Sequence, residues 1–146
     1  GQYVFNVTVY FPAFPYTCFG RRSLDVVPSP KSHSYRQPEF TGMDWYADYS
    51  ARSETDGAEG RLVSLYTFTE DWTSWECHPS GHEVVVCTAG RMTLHQELAD
   101  GSKATVTIGP GEYAINPPGA WHTADVEGEA TALFITAGLG TMHRPR

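Results

Sequence analysis

The residues of this chain best suited to chemistry gather in two short segments. Trp75-Glu76-Cys77-His78-Pro79-Ser80-Gly81-His82-Glu83 carries two histidines, two glutamates and a cysteine, and a further histidine, His122, follows Asn116-Pro117-Pro118-Gly119-Ala120-Trp121. Successive side chains of a strand face opposite ways, so Glu76 and His78 share a face and Cys77 takes the other. The turn at Pro79 to Gly81 then reverses the chain, and a short hairpin would let Glu83 enter from the neighbouring strand. His122, from a distant strand, closes the set. Imidazoles with carboxylates suit a divalent metal ion (Mn, Fe, Ni, Co or Zn), with positions left for water or substrate.

The same alternation sorts the remaining candidates. If Glu83 points inward, its neighbour His82 points out. His95 has no partner at ligand spacing and reads as a surface or internally satisfied residue. His33 and His143 fall in irregular terminal segments and read as solvated. Cys77 reads as packing. Cys87 shares the parity of Glu83, and either lines the interior or fills it as a small buried side chain. Trp75 and Trp121 have outward parity, which points to packing against another layer or an interface. Pro117 and Pro118 fix the turn that delivers His122.

Short strands must position these groups. Leu62 to Phe68, Glu83 to Thr88, Arg91 to Glu97, Lys103 to Ile108, Tyr113 to Asn116, Trp121 to Asp125 and Ala130 to Thr136 all read as strands, and Asp100-Gly101 marks a tight hairpin between two of them. No amphipathic helix is read after residue 50, and the polar run from Ala51 to Gly60 reads as a loop. Residues 1–42 differ. A β-prone stretch, Tyr3 to Tyr10, gives way to proline-punctuated sequence, which is read as an extended N-terminal arm preceding a barrel over 43–146.

Composition narrows the function classes. At 146 residues with 40% apolar content, the chain has length for one domain with a core that needs no disulfide staples. A net charge of −7 without a basic cluster excludes a nucleic-acid footprint, and no apolar run is long enough to span a membrane. The odd, irregularly spaced cysteines Cys18, Cys77 and Cys87 read as free thiols of a reducing compartment, so the expected address is the cytoplasm.

The two segments resemble the two motifs of the cupin superfamily. Glu76-x-His78, four residues, Glu83, six residues and Gly90 follow the first motif, and Gly111, five residues, Pro117-Pro118-Gly119, two residues and His122 follow the second. The resemblance covers roughly residues 61–137. It implies an all-β, double-stranded β-helix (jelly-roll) barrel with His78, Glu83 and His122 as metal ligands. The chain departs from the motifs at three places. Glu70 stands at the leading Gly, Val126 replaces the closing Asn, and Glu76 stands where the family has its first His. Glu76 is then an oxygen ligand, a general base free of the metal, or a group facing solvent. The resemblance further implies a metal-dependent enzyme of dioxygenase or isomerase type acting on a small oxygenated metabolite, or else a non-catalytic cupin that binds a sugar or metabolite. It also implies a homodimer, in which Tyr3 to Tyr10 would supply an exchanged strand.

Overall fold

The computed structural model describes residues 4–6, 42, 44–52 and 54–146. The arm read over 1–42 lies outside the described residues except for Gly42 and one short strand, β1 (Val4–Asn6), and the same is true of Cys18 and His33. That strand pairs antiparallel with β2 and covers its edge.

The strands that follow are β2 (Leu62–Phe68), β3 (Ser74–Cys77), β4 (Glu83–Ala89), β5 (Met92–Glu97), β6 (Lys103–Ile108), β7 (Tyr113–Asn116), β8 (Trp121–Val126), β9 (Ala130–Thr136) and β10 (Met142–Pro145). Their pairing is nested: β5 with β6, β4 with β7, β3 with β8 and β2 with β9, all antiparallel. The chain is thus one long hairpin with its tip at Asp100-Gly101, where Ser102 N–H donates to the Asp100 carboxylate at 2.9 Å. Rolled up, this hairpin yields two five-stranded sheets, β1-β2-β9-β4-β7 and β10-β3-β8-β5-β6. This is a jelly roll.

The inward faces alternate as period-2 burial requires. Val85 and Cys87 of β4, Met92 and Leu94 of β5, and Ala132 and Phe134 of β9 form one core with Ala114 and Ala124. Alanines on β7, β8 and β9 make room for Met92, Leu94 and Phe134. Burying a side chain such as Leu94 is worth about 2 kcal/mol. Cys87 is therefore core packing and does not line a cavity.

Three readings need correction. The connection from β3 to β4 is not a hairpin, because the two strands lie in different sheets. The Pro79–Gly81 turn carries the chain across the sandwich, where a Cβ on Gly81 would stand 2.6 Å from the Ala137 Cβ. The polar run from Ala51 is not loop: a helix, α1 (Asp44–Arg52), extends into it, and a 3-10 segment, Glu54–Glu59, follows. Asp44 and Arg52 suit the two ends of the helix dipole, Trp45 and Tyr49 stack one turn apart, and Arg52 lies over the Trp45 ring. Local packing on one small face thus outweighs the polar composition. The C-terminal segment is not irregular either, since β10 adds to the free edge of β3. Among the described residues, no helix is long and apolar enough to cross a membrane.

Gly90 shows why the first motif ends in glycine. Its φ is +73°, and an added Cβ would lie 1.9 Å from the Glu129 carbonyl oxygen. Gly128 has the same φ with open space around it. Gly128→Ala is therefore expected to cost about 1 kcal/mol for left-handed backbone alone, and Gly90→Ala about 3 kcal/mol or more once the clash is added. Urea denaturation of both variants checks this, and equal midpoint shifts would contradict it.

Candidate functional site

At one end of the sandwich the inward-facing stripe turns from apolar to polar. Across the first sheet, Asn116, Glu83 and Thr136 are direct neighbours in register. Across the second, Gln96, His122, Glu76 and His143 form a matching row. His78, just beyond β3, completes the group. Glu83, His78, His122, Asn116, Gln96 and Thr136 are all buried.

Glu83 is the centre. It is 2% exposed, its Oε1 accepts from Thr136 at 2.7 Å, and its Oε2 accepts from Asn116 at 2.9 Å. Gln96 reaches across from the other sheet to donate to Asn116 Oδ1 at 2.6 Å, which turns the Asn116 amide donor toward Glu83. Burial alone would push the Glu83 carboxyl up. The His122 and His78 imidazoles beside it outweigh that and hold it well below the ordinary carboxylate range.

The two imidazoles are oriented by their other nitrogens. Thr141 spends its hydroxyl proton on the Gly138 carbonyl, so it accepts from His78 Nδ1 at 2.8 Å. The Ala120 carbonyl can only accept, so His122 Nδ1 carries the proton there, at 3.3 Å. In neutral imidazoles this leaves both Nε2 atoms with bare lone pairs. They face Glu83 at 3.3 Å from His78 and 3.1 Å from His122, yet neither makes an aligned hydrogen bond. A lone pair facing a carboxylate calls for a proton or a metal cation between the two. Fixing the unused nitrogen on a hydroxyl or carbonyl is also how metal-binding histidines are held.

Glu76 comes from the side. One carboxylate oxygen lies 3.9 Å from His78 Nε2, and donor atoms of Glu76, His78 and His122 fall within 4.8 Å of one another. This is a His/Glu cluster able to hold a metal ion. Its other oxygen stands 3.3 Å from His143 Nε2, and the Glu76 carboxylate raises the His143 imidazole above its usual value. His143 is thus a member of the site and not the solvated terminal residue that its irregular sequence context predicts. Glu76 does not face away into solvent, since its side chain is 30% exposed and borders a cavity of ≈ 940 Å³.

The other candidates fall elsewhere. His82 is exposed. His95 is satisfied by Asp125 at 2.8 Å and by Thr105 on the outer face. Cys77 is a buried free thiol. The outward parity of Trp75 and Trp121 holds, and their rings flank the Arg144 guanidinium of β10, with centroids at 5.1 and 4.5 Å. Asn116, Gln96, Thr136 and Thr141 escape a search for ligands because none is a metal-binding type. Asn116, Gln96 and Thr136 did share one signal, inward parity with Ala114, Leu94 and Phe134 at the ends of their strands.

The nested strand pairing and the buried His78, Glu83 and His122 at one end of the sandwich are the jelly-roll arrangement that the resemblance to the cupin motifs implies. No family model matches the chain, and no curated protein matches it. Among solved structures it is similar to hydroquinone 1,2-dioxygenase from Sphingomonas sp. TTNP3 with 4-hydroxybenzoate bound, at 15% identity over 52% of this chain and 58% of that one, with a TM-score of 0.46. It is also similar to a protein from Neisseria meningitidis, at 26% identity over 53% of this chain and 74% of that one, with a TM-score of 0.45. A third is oxalate decarboxylase from Bacillus subtilis, studied for its Mn(II) centres, at 19% identity over 58% of this chain and 23% of that one, with a TM-score of 0.49. The chain thus spans little more than half of the dioxygenase chain and under a quarter of the decarboxylase.

Burial alone would lower the His122 imidazole, but the adjacent Glu83 carboxylate outweighs it and holds His122 above its usual value. In the metal-free protein the stability from this pair is therefore complete below the ordinary imidazole pKa of about 6.5 and is lost as pH rises through the raised value. Removing the carboxylate takes away the main raising influence and leaves burial opposed only by the Ala120 carbonyl and Glu76. NMR titration is expected to place His122 above about 6.5 in the wild type and to move it down in Glu83→Gln. An unchanged midpoint in the variant would contradict the coupling.

Proposed function

We propose that this chain is a metal-dependent cupin enzyme, of dioxygenase or isomerase type, acting on a small oxygenated metabolite. The observation that carries the proposal is the pair of buried Nε2 lone pairs turned toward carboxylates while both Nδ1 protons are committed elsewhere. A divalent cation would satisfy all of these groups at once, in place of a proton between imidazole and carboxylate. A divalent ion would be held by His78, His122, Glu83 and Glu76, whose two carboxylates neutralise its charge. With no thiolate in the donor set, the balance tilts toward Mn or Fe(II) over softer metals. Such an ion, when bound, supplies Lewis-acid polarisation of a substrate oxygen or activation of O₂.

The chain's own residues do the rest. Thr136 and Asn116 keep Glu83 ionised and fixed. Thr141 and the Ala120 carbonyl fix the ring planes. Glu76 stands on the cavity side of the cluster, where a substrate oxygen would arrive, and His143 holds its outer oxygen. Phe68, Trp72 and Phe134 line the cavity and keep its wall apolar. Tyr46, hydrogen-bonded to Tyr66 at 3.0 Å, is pushed well above the ordinary phenol range by burial and by that partner, so it stays protonated.

Protein purified without chelators is expected to carry a stoichiometric divalent ion by elemental analysis. His122→Ala and Glu83→Gln are expected to lose it, and Glu76→Gln to bind it at least about 10-fold more weakly. Metal-free wild type, or full occupancy in Glu83→Gln with native circular dichroism, would overturn the centre. Metal-dependent turnover of some member of a panel of enols, phenols and sugars is the expected result for an enzyme, and binding with no turnover anywhere in the panel would contradict it.

A further inference from the structure

Strand β10 has little of its own to hold it in place. It is four residues long, lies at the edge of its sheet beside β3, and has no buried residue, Arg144 alone being half-buried. Pro145 has no N–H to give to the ladder. A short edge strand without a buried apolar stripe has a weakly specified register. Yet this register matters, because it sets His143 opposite Glu76. A slip of one residue would turn the imidazole to the outer face and take it away from the Glu76 carboxylate.

Arg144 supplies what the strand lacks. Adjacent residues of a strand face opposite ways, so Arg144 lies on the outer face while His143 lies on the site face. Out there its guanidinium is flanked by Trp75 and Trp121 and paired with Glu97, which Lys103 also holds at 2.9 Å. The side chain thus reaches over β3 and β8 to β5 of the same sheet. A flat, delocalised cation suits this place, since it stacks on rings and forks toward a carboxylate. The neighbouring contacts are separate. The Arg146 N–H donates to the Thr73 carbonyl at 3.2 Å and its guanidinium to the Ala124 carbonyl at 3.2 Å, so the far end has its own ties. Thr141, which holds His78, is fixed by the Gly138 carbonyl at 2.8 Å. From this arrangement we propose that Arg144 is a positioning residue for the site on the other face of its sheet. By fixing the register of β10 it holds His143 against Glu76 and so orients the Glu76 carboxylate. The proposal rests on the metal-centre reading for its effect on metal affinity alone.

The test is a set of double-mutant cycles read by calorimetric titration with Mn(II). Losing a group that orients a ligating carboxylate weakens metal binding about 10-fold, and that loss is expected for both Arg144→Ala and His143→Ala. Combining the two is expected to cost no more than about 2-fold beyond either one, because Arg144 acts through His143. Arg144→Ala with Thr141→Ala is expected to multiply the two losses, since Thr141 acts on His78. General loss of stability would multiply the losses in both pairs. Glu97→Gln, which leaves β10 itself untouched, is expected to weaken binding in the wild type and to have no effect once His143 is gone. A second readout needs no metal. The His143 ring resonances are expected to move on Glu76→Gln in the wild type and to stay in place when the same change is made in Arg144→Ala. Wild-type Mn(II) affinity in Arg144→Ala, a multiplied loss with His143→Ala, or an undiminished response of the His143 ring would overturn the inference. Failure of the wild type to bind Mn(II) would overturn the metal centre, and the His143 resonances alone would then decide the role of Arg144.

Discussion

A carboxylate that is 2% exposed must be compensated, and the Glu83 environment is organised around that demand. An isolated buried charge costs several kcal/mol even after relaxation. Glu83 meets the cost with two neutral donors from its own sheet, Thr136 and Asn116, and with two imidazoles brought from the opposite sheet. Asn116 depends in turn on Gln96, and His78 on Thr141. The network therefore ties the sandwich together at the end where the apolar core stops, and it fixes which end can do chemistry.

Topology makes this convergence possible. The nested pairing sets Asn116, Glu83 and Thr136 side by side in one sheet and Gln96, His122, Glu76 and His143 side by side in the other, although the members come from seven different strands. A register slip of one residue in β4 or β8 would turn Glu83 or His122 outward and put Val84 or Thr123 in its place. The core residues on the same stripes, Val85 with Cys87 in β4 and Ala124 in β8, resist such a slip because their burial would be lost with it.

Much of this was legible in the chain. Period-2 alternation located β2, β6, β7 and β9 with the observed limits, and Asp100-Gly101 marked the tip of the long hairpin. Parity alone put His82 outside and Cys77 opposite the ligands. What alternation could not supply was the partner of each strand. The Pro79–Gly81 turn has the composition of a hairpin but carries the chain between sheets, a distinction made by tertiary packing around Ala137. β10 has a short, mixed sequence, Met142-His143-Arg144-Pro145, whose strand state comes from pairing with β3 and from Arg144 seated between two tryptophans. His143 was invisible for that reason. α1 was hidden by polar composition, because its stability comes from stacked Trp45 and Tyr49 on one small face.

The central claim is that a metal ion replaces the proton that would otherwise sit between Glu83 and its two imidazoles. Anomalous scattering from crystals grown with Mn(II) tests it most directly. The account predicts one strong peak within coordination distance of His78 Nε2, His122 Nε2 and a Glu83 oxygen. A peak confined to surface carboxylates, with ordered water hydrogen-bonded to both Nε2 atoms, would contradict it.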